Sequence, residues 1–238
     1  MAERYVIFNA DDFGASEGIN RAIVRCHTHG VLTSASLMVT GRASEEAASL
    51  SRRYPSLSVG LHWDVWGEDE RDFDLRDRGA VRDELKRQLE SFTELVGRTP
   101  THVDSHRHAH RDPRVMPIFA EVLEPLGVPI RGDGRVKCVG GFYGQWEFKK
   151  TELRYVSVPF LIQLLREETG EGWTELSCHP GFRWPGFSSV YDIEREVEVS
   201  TLTDARTASA IEELGIRLRS YKDFATFEGV GEISASAR

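Results

Sequence analysis

The chain has 238 residues, 40% hydrophobic and 29% charged, a balance ordinary for a folded globular protein and foreign to a disordered one. A net charge of -8 excludes the broad basic face of a general nucleic-acid binder. No window approaches the run of about 18–20 apolar residues that a membrane helix needs, and no charged-then-apolar leader precedes the first strand-like run. Three cysteines (Cys26, Cys138, Cys178) have no metal-type spacing, so a reduced, cytoplasmic setting is expected.

In chain order, Tyr5 to Phe8 reads as a strand and Glu17 to His29 as a helix. Ser34 to Val39 is rich in strand formers, Ser44 to Arg53 is helical, and Ser58 to Leu61 is a strand. A polar excursion runs from Asp64 to Gly79. Leu85, Leu89, Phe92 and Val96 then fall at helical spacing within Arg82 to Val96. Thr101 to Ser105 reads as a strand, Pro113 to Leu126 as a helix opened by proline, and Val128 to Arg131 as a strand. A glycine-rich loop, 132–144, follows. The remaining elements are a helix at Val158 to Glu168, a strand at Thr174 to Cys178, helices near Ile193 to Ser200 and Asp204 to Leu214, and a short strand at Ile216 to Leu218. Strands alternating with helices imply a parallel sheet covered on both faces. About seven such units without a linker favour one α/β domain over 1–228, closed or nearly closed into a barrel. The small, polar tail 229–238 is expected to be mobile.

Position carries the functional argument. Asp11 and Asp12 follow the first strand, His62 and His106 end the third and fourth, and His179 follows Cys178. The C-terminal ends of parallel strands share one face, where catalytic groups collect. On an extended run, His102, Asp104 and His106 would point to one side, as a ligand set or as a buried polar ladder. Two histidines and a carboxylate leave coordination positions open for water and substrate, as catalytic metal sites do. An Asp-Asp pair before a helix could instead be a cap.

At these residues the chain resembles the YdjC-like carbohydrate deacetylases, including the chitooligosaccharide deacetylases. The matching segments are Asn9-Ala10-Asp11-Asp12-Phe13-Gly14, Gly60-Leu61-His62 and Pro100-Thr101-His102-Val103-Asp104-Ser105-His106. Further on come Ile130-Arg131, Gly141-Phe142-Tyr143-Gly144, Cys178-His179-Pro180 and Arg219-Ser220-Tyr221-Lys222-Asp223. The resemblance implies a distorted TIM-like (β/α) barrel and hydrolytic removal of N-acetyl groups from amino sugars. It also implies one divalent metal, usually described as Mg2+, although two histidines and an aspartate suit Zn2+ at least as well. Asp12, His62 and His106 match the metal ligands, Asp11 the general base, and His179 a histidine across the pocket. Where the family commonly has three consecutive histidines, this chain reads His106-Arg107-His108.

The expected chemistry is amide hydrolysis, with Asp11 taking a proton from water and a protonated His179 giving one to the departing amine. Arg131, at a strand end, is expected at the substrate and holding Asp11 ionised. Asp104 and His102 are candidates to hold the other nitrogen of a ligating imidazole. Trp63, Trp66, Trp146 and Trp184 fall in loops after strand ends; Trp63 and Trp184 are expected to stack on sugar, and Tyr143 to bond a hydroxyl. His108 and His110 would touch substrate or lie exposed. Cys178 reads as a buried apolar residue rather than a nucleophile. The excursion after Asp64 and the 132–144 loop are candidate lids. The expected partner is a small carbohydrate, with no nucleic acid or membrane, and a homodimer is compatible with the chain. Rival readings are a metal phosphoesterase and a sugar-binding regulatory protein that keeps the pocket without the chemistry.

Overall fold

A computed structural model describes residues 3–67 and 72–226. Its spine is β1 (Arg4–Phe13), buried along most of its length because both faces are covered. Val6, Phe8 and Ala10 join the main core beneath the helices, whereas Ile7 belongs to a separate cluster with Val136, Tyr221 and Phe224. Alternate side chains of one strand thus serve the outside and the inside of a curled sheet.

Seven strands among the described residues form this sheet, and every pairing is parallel. The others are β2 (Ser34–Leu37), β3 (Ser58–Trp63), β4 (Val103–Ser105), β5 (Lys137–Val139), β6 (Gly172–Cys178) and β7 (Ile216–Leu218). The order is β4-β3-β2-β1-β6-β5, with β7 beside β1. β6 covers one edge of β1, while β7 (at Arg4 to Val6) and β2 (from Asn9) share the other. The two end strands do not pair with each other, so the α/β barrel is distorted rather than fully closed.

The strand expected over Val128 to Arg131 shrinks to a single bridge between Val103 and Ile130. Ile130 gives its N–H to the Asp133 carboxylate at 3.1 Å instead of to a strand, and Gly132 (φ 81°) turns the chain. The missing strand lies inside the glycine-rich loop, as β5. Likewise β1 runs on to Phe13, so Asp11 and Asp12 lie within the first strand rather than after it.

The helices are α1 (Glu17–His29), α2 (Ser44–Arg53), α3 (Arg78–Val96), α4 (Met116–Leu123), α5 (Val158–Glu168), α6 (Asp192–Leu202) and α7 (Ala205–Glu213). α1 starts where the Ser16 hydroxyl accepts the Ile19 N–H, and α3 where Asp77 accepts that of Ala80, a turn ahead of its first apolar contact. α4 begins after Pro113 rather than at it. No helix among the described residues is long and apolar enough to cross a membrane. The boundary at 228, the tail 229–238 and residues 68–71 of the excursion after Asp64 lie outside the described residues.

The barrel is stoppered at one end. Ser34 and Ser58 open β2 and β3, and their hydroxyls accept the N–H groups of Tyr221 and Lys222 at 3.2 Å. With the strands all parallel, that leaves the C-terminal ends as the open mouth.

Candidate active site

A cavity of about 690 Å³ opens at that mouth, and Asp11, Asp12, His62, His106, Tyr143 and His179 all reach its wall. In a regular strand, Asp11 and Asp12 would point to opposite faces. The β1–β2 register shifts between Ala10 and Phe13, and Asp12 takes a left-handed φ of 66°. This bulge turns both carboxylates into one pocket.

Beneath the pocket lies a buried ionic layer. Arg131 is buried and grips Asp11 with two hydrogen bonds, Nη1 to Oδ2 at 2.8 Å and Nη2 to Oδ1 at 2.6 Å. Its Nε donates to Glu175 at 2.8 Å, and Nη2 also lies 2.7 Å from Asp104 Oδ2. Tyr221 donates to the second Glu175 oxygen at 2.5 Å. Burial opposes the charge on Asp11, but Arg131 outweighs burial and neighbouring Asp104, holding Asp11 below the ordinary carboxylate range. Arg131 is therefore placed to keep Asp11 ionised, but it sits beneath the pocket and not on a substrate surface.

Both histidines of the expected metal set have a carboxylate on Nδ1. His62 Nδ1 lies 2.6 Å from Asp104 Oδ1, and His106 Nδ1 lies 3.0 Å from Asp64 Oδ1. His62 Nε2 then faces Asp12 Oδ1 at 3.4 Å, and His106 Nε2 has no hydrogen bond among the described residues. Burial disfavours charge on His62, yet Asp104, Asp12 and Asp11 hold its pKa well above the ordinary value. Burial also opposes charge on Asp12, but the Arg195 guanidinium, 2.5 Å from Oδ2, and His62 hold that carboxyl well below the usual range. Asp64 titrates at about 2: burial is outweighed by His106, Thr40 and the Gly67 N–H. Asp64 was not legible as a site residue; only its place one residue after Trp63 at a strand end could have marked it.

Asp11, His62 and Asp104 are three groups whose ligand atoms all lie within 4.8 Å of one another, so this corner can hold a metal. Two facts set Asp104 and Asp12 apart. Asp104 already accepts from His62 Nδ1 and faces the Arg131 guanidinium and is wholly buried, whereas Asp12 reaches the pocket wall beside His62 Nε2. Imidazoles anchored through Nδ1, with carboxylates beside them, are a fitting donor set for a divalent cation.

Other expected residues fall elsewhere. His102 does not hold a ligating imidazole. It is buried, stacks on Tyr221 at 3.9 Å and shares the Ser36 hydroxyl with Asp104, while burial lowers its pKa to about 3 despite Asp104. His110 is buried too, between the Ser105 hydroxyl and the Arg131 carbonyl. Trp63 is fully buried against Phe73 and Phe119, because residue 63 is still strand and points outward to α4. Trp184 lies against Gly18 and under the Arg21 guanidinium, not on the pocket wall. The indole on the wall is Trp146, next to Tyr143. Arg107 and His108 are exposed at the wall on consecutive left-handed residues, φ 51° and 53°. Cys178 is buried with its thiol on the Asn9 carbonyl at 3.3 Å and its pKa raised by burial.

His179 faces Asp11, Nε2 to Oδ2 at 3.8 Å, with Tyr143 and Tyr191 edge-on at 5.6 and 5.8 Å. Burial lowers its pKa in spite of Asp11 and Asp12, so it rests neutral rather than protonated. Arg195, Tyr191 and Glu198, which surround it, had no sequence signal: they come from the α6 region, far from any strand end.

Comparison with known proteins bears on the fold and the family. The family model of the YdjC-like proteins matches residues 5–213. A carbohydrate deacetylase of Geobacillus stearothermophilus is 34% identical, covering 93% of this chain and 98% of the relative. A chitooligosaccharide deacetylase of Serratia marcescens is 32% identical over 93% of this chain and 99% of its own. Among solved structures, a protein of Enterococcus faecalis V583 named for cellobiose-phosphate cleavage superposes with a TM-score of 0.78 at 25% identity, covering 94% and 99% of the two chains. A match spanning nearly all the strands and every pocket-bearing segment identifies the chain as a member of the YdjC-like family.

Proposed function

We propose that the protein is a metal-dependent hydrolase that removes the N-acetyl group of an amino sugar, a chitooligosaccharide or a related N-acetylglucosamine-containing carbohydrate. The observation that carries this reading is the pairing of two Nδ1-anchored histidines with Asp11 and His179 in one pocket. The names of the relatives at 32–34% identity supply the substrate class. Asp12, His62 and His106 would hold the metal. The family resemblance implies Mg2+; the two imidazole donors suit Zn2+ at least as well. When bound, the ion polarises the acetyl carbonyl and makes water a better acid.

The chain's own groups do the rest. Asp11, held ionised by Arg131, accepts the proton of the attacking water. His179 starts neutral, so it must be loaded before it can protonate the amine. Asp11 Oδ2 faces His179 Nε2 at 3.8 Å, so the proton taken from water would pass between them through a bridging water or once the two close to hydrogen-bonding distance. Tyr143 and Trp146 offer a hydroxyl and an apolar face to the sugar ring. A cytoplasmic site of action fits the three free cysteines.

Acetate release decides the matter. Protein loaded with Mg2+ or with Zn2+ is given N-acetylglucosamine, chitooligomers and lipid-linked amino sugars; acetate from one of them is expected. No acetate from any, with metal bound, would favour the sugar-binding alternative. The Asp11→Asn variant should keep its metal and lose about 100- to 10,000-fold in turnover, the usual range of a general base. Full activity in that variant would sink the assignment.

A further inference from the structure

A catalytic imidazole is ordinarily aimed by a hydrogen bond to its second ring nitrogen. His179 lacks one: its Nδ1 is buried with no hydrogen-bond partner. What holds the residue is its backbone. The His179 N–H donates to Glu198 Oε2, and its carbonyl accepts from Arg195 Nη1 at 3.2 Å. Both partners stand one turn apart on α6, which packs against α1.

The same two side chains reach further. Glu198 Oε1 accepts the Tyr191 hydroxyl at 2.8 Å, and Tyr191 is one of the two rings set edge-on to His179. Tyr191 stacks on the other ring, Tyr143, at 4.7 Å, and its oxygen accepts the Gly144 N–H at 2.7 Å. Arg195 Nη2 binds Asp12 Oδ2 at 2.5 Å. Gly181 makes room for the stem of this side chain, since a Cβ there would come within 2.8 Å of Arg195 Cδ.

We propose that α6 is a clamp that aims His179 through its main chain, with Glu198 and Arg195 as positioning residues. Glu198 fixes the His179 N–H and the ring packed beside it. Arg195 ties the His179 carbonyl to Asp12, so the proton-donating and metal-facing sides of the pocket move together. The inference rests on His179 as the acid proposed above. A displacement of about 1 Å at such a group costs on the order of 100-fold in rate, so the clamp has catalytic consequences without touching substrate.

The test exploits the leaving group. An amine leaves only when protonated, whereas the nitrophenolate of 4-nitrophenyl acetate leaves without help. Glu198→Ala should lower kcat on an N-acetylated chitooligomer by about 10- to 100-fold, part of what a general acid supplies. KM, metal affinity by calorimetry and the rate on 4-nitrophenyl acetate should change little. Glu198→Gln keeps an acceptor for the His179 N–H and should recover most of the loss. In a His179→Ala background, Glu198→Ala should cost nothing more. Equal losses on amide and ester, or additive losses in the double variant, would overturn the clamp. Full amide activity in His179→Ala alone would instead remove the acid assignment, and the clamp with it. Should Glu198→Ala fail to fold, Tyr191→Phe keeps the ring and deletes one arm. It should show the same amide-selective loss, and an unselective loss would count against the proposal.

Discussion

Asp11 and Asp12 sit side by side, but their neighbours differ. Asp11 is held by a guanidinium below the pocket, and Asp12 by one beside it. Each carboxylate is thereby kept ionised in a place where burial alone would neutralise it. The left-handed Asp12 costs about 1–3 kcal/mol of backbone strain, an expense tolerated because only that conformation lets two adjacent carboxylates share a cavity. Asp64 is the least expected member of the set. Its carboxylate holds His106 Nδ1, so Asp64→Asn should lower metal affinity by about 10- to 100-fold while the fold persists. Isothermal titration with Zn2+ checks this, and unchanged affinity would remove Asp64 from the site.

Elements place these side chains through a few close approaches. Gln88 of α3 pins the chain after β3 with a reciprocal pair, accepting the Asp64 N–H at 3.1 Å and donating to the Asp64 carbonyl at 2.7 Å. β3 and β4 meet so tightly at Gly60 that a Cβ there would lie 2.4 Å from both the His102 Nδ1 and the His102 backbone oxygen. Backbone cannot swing aside as a flexible side chain can. Gly60→Ala should therefore destabilise by about 1–3 kcal/mol, the usual cost of overpacking, and should loosen the His62–Asp104 pair two residues on. Denaturant melts measure the first effect. A variant as stable as the parent would mean that the strands part freely here.

Across the whole molecule the barrel interior is apolar at its stoppered end, ionic in the middle and open at the mouth. Buried carboxylates outside that layer make stability depend on pH. Burial raises the Glu198 pKa to about 8, against the partial relief of the His179 N–H, Tyr191 and Arg195. Its folded pKa lies above the unfolded value near 4.5, so the folded state keeps a proton that the unfolded chain releases. The Glu198 contribution is complete below about pH 4.5 and is lost as pH rises through 8. Asp64, held at about 2, acts in the opposite direction and loses its contribution only as pH falls from about 4 toward 2. Glu198→Gln should flatten the decline in Tm between pH 5 and 8, by roughly what one titrating group contributes. An unchanged slope in thermal melts would assign the decline to other groups.

Much was legible beforehand because it depends on local physics. Alternating apolar runs located α1, α2, α5 and β7 to the residue, and strand ends drew Asp11, Asp12, His62, His106 and His179 to one face. Alternation alone cannot reveal a bulge, so the shared orientation of Asp11 and Asp12 appeared only in the folded chain. Partners distant in sequence divided: Arg131, 120 residues from Asp11, was marked by its place at an expected strand end, whereas Arg195, 183 from Asp12, had no signal. Composition could say that tryptophans sit near strand ends. Only packing could bury Trp63 beneath α4 and leave Trp146 on the pocket wall. The sequence by itself determined which side chains reach one face, because strands alternating with helices impose a parallel sheet whose strand ends share it. The tertiary structure decided their roles, since burial and a fixed counter-charge set the protonation state and aim of each.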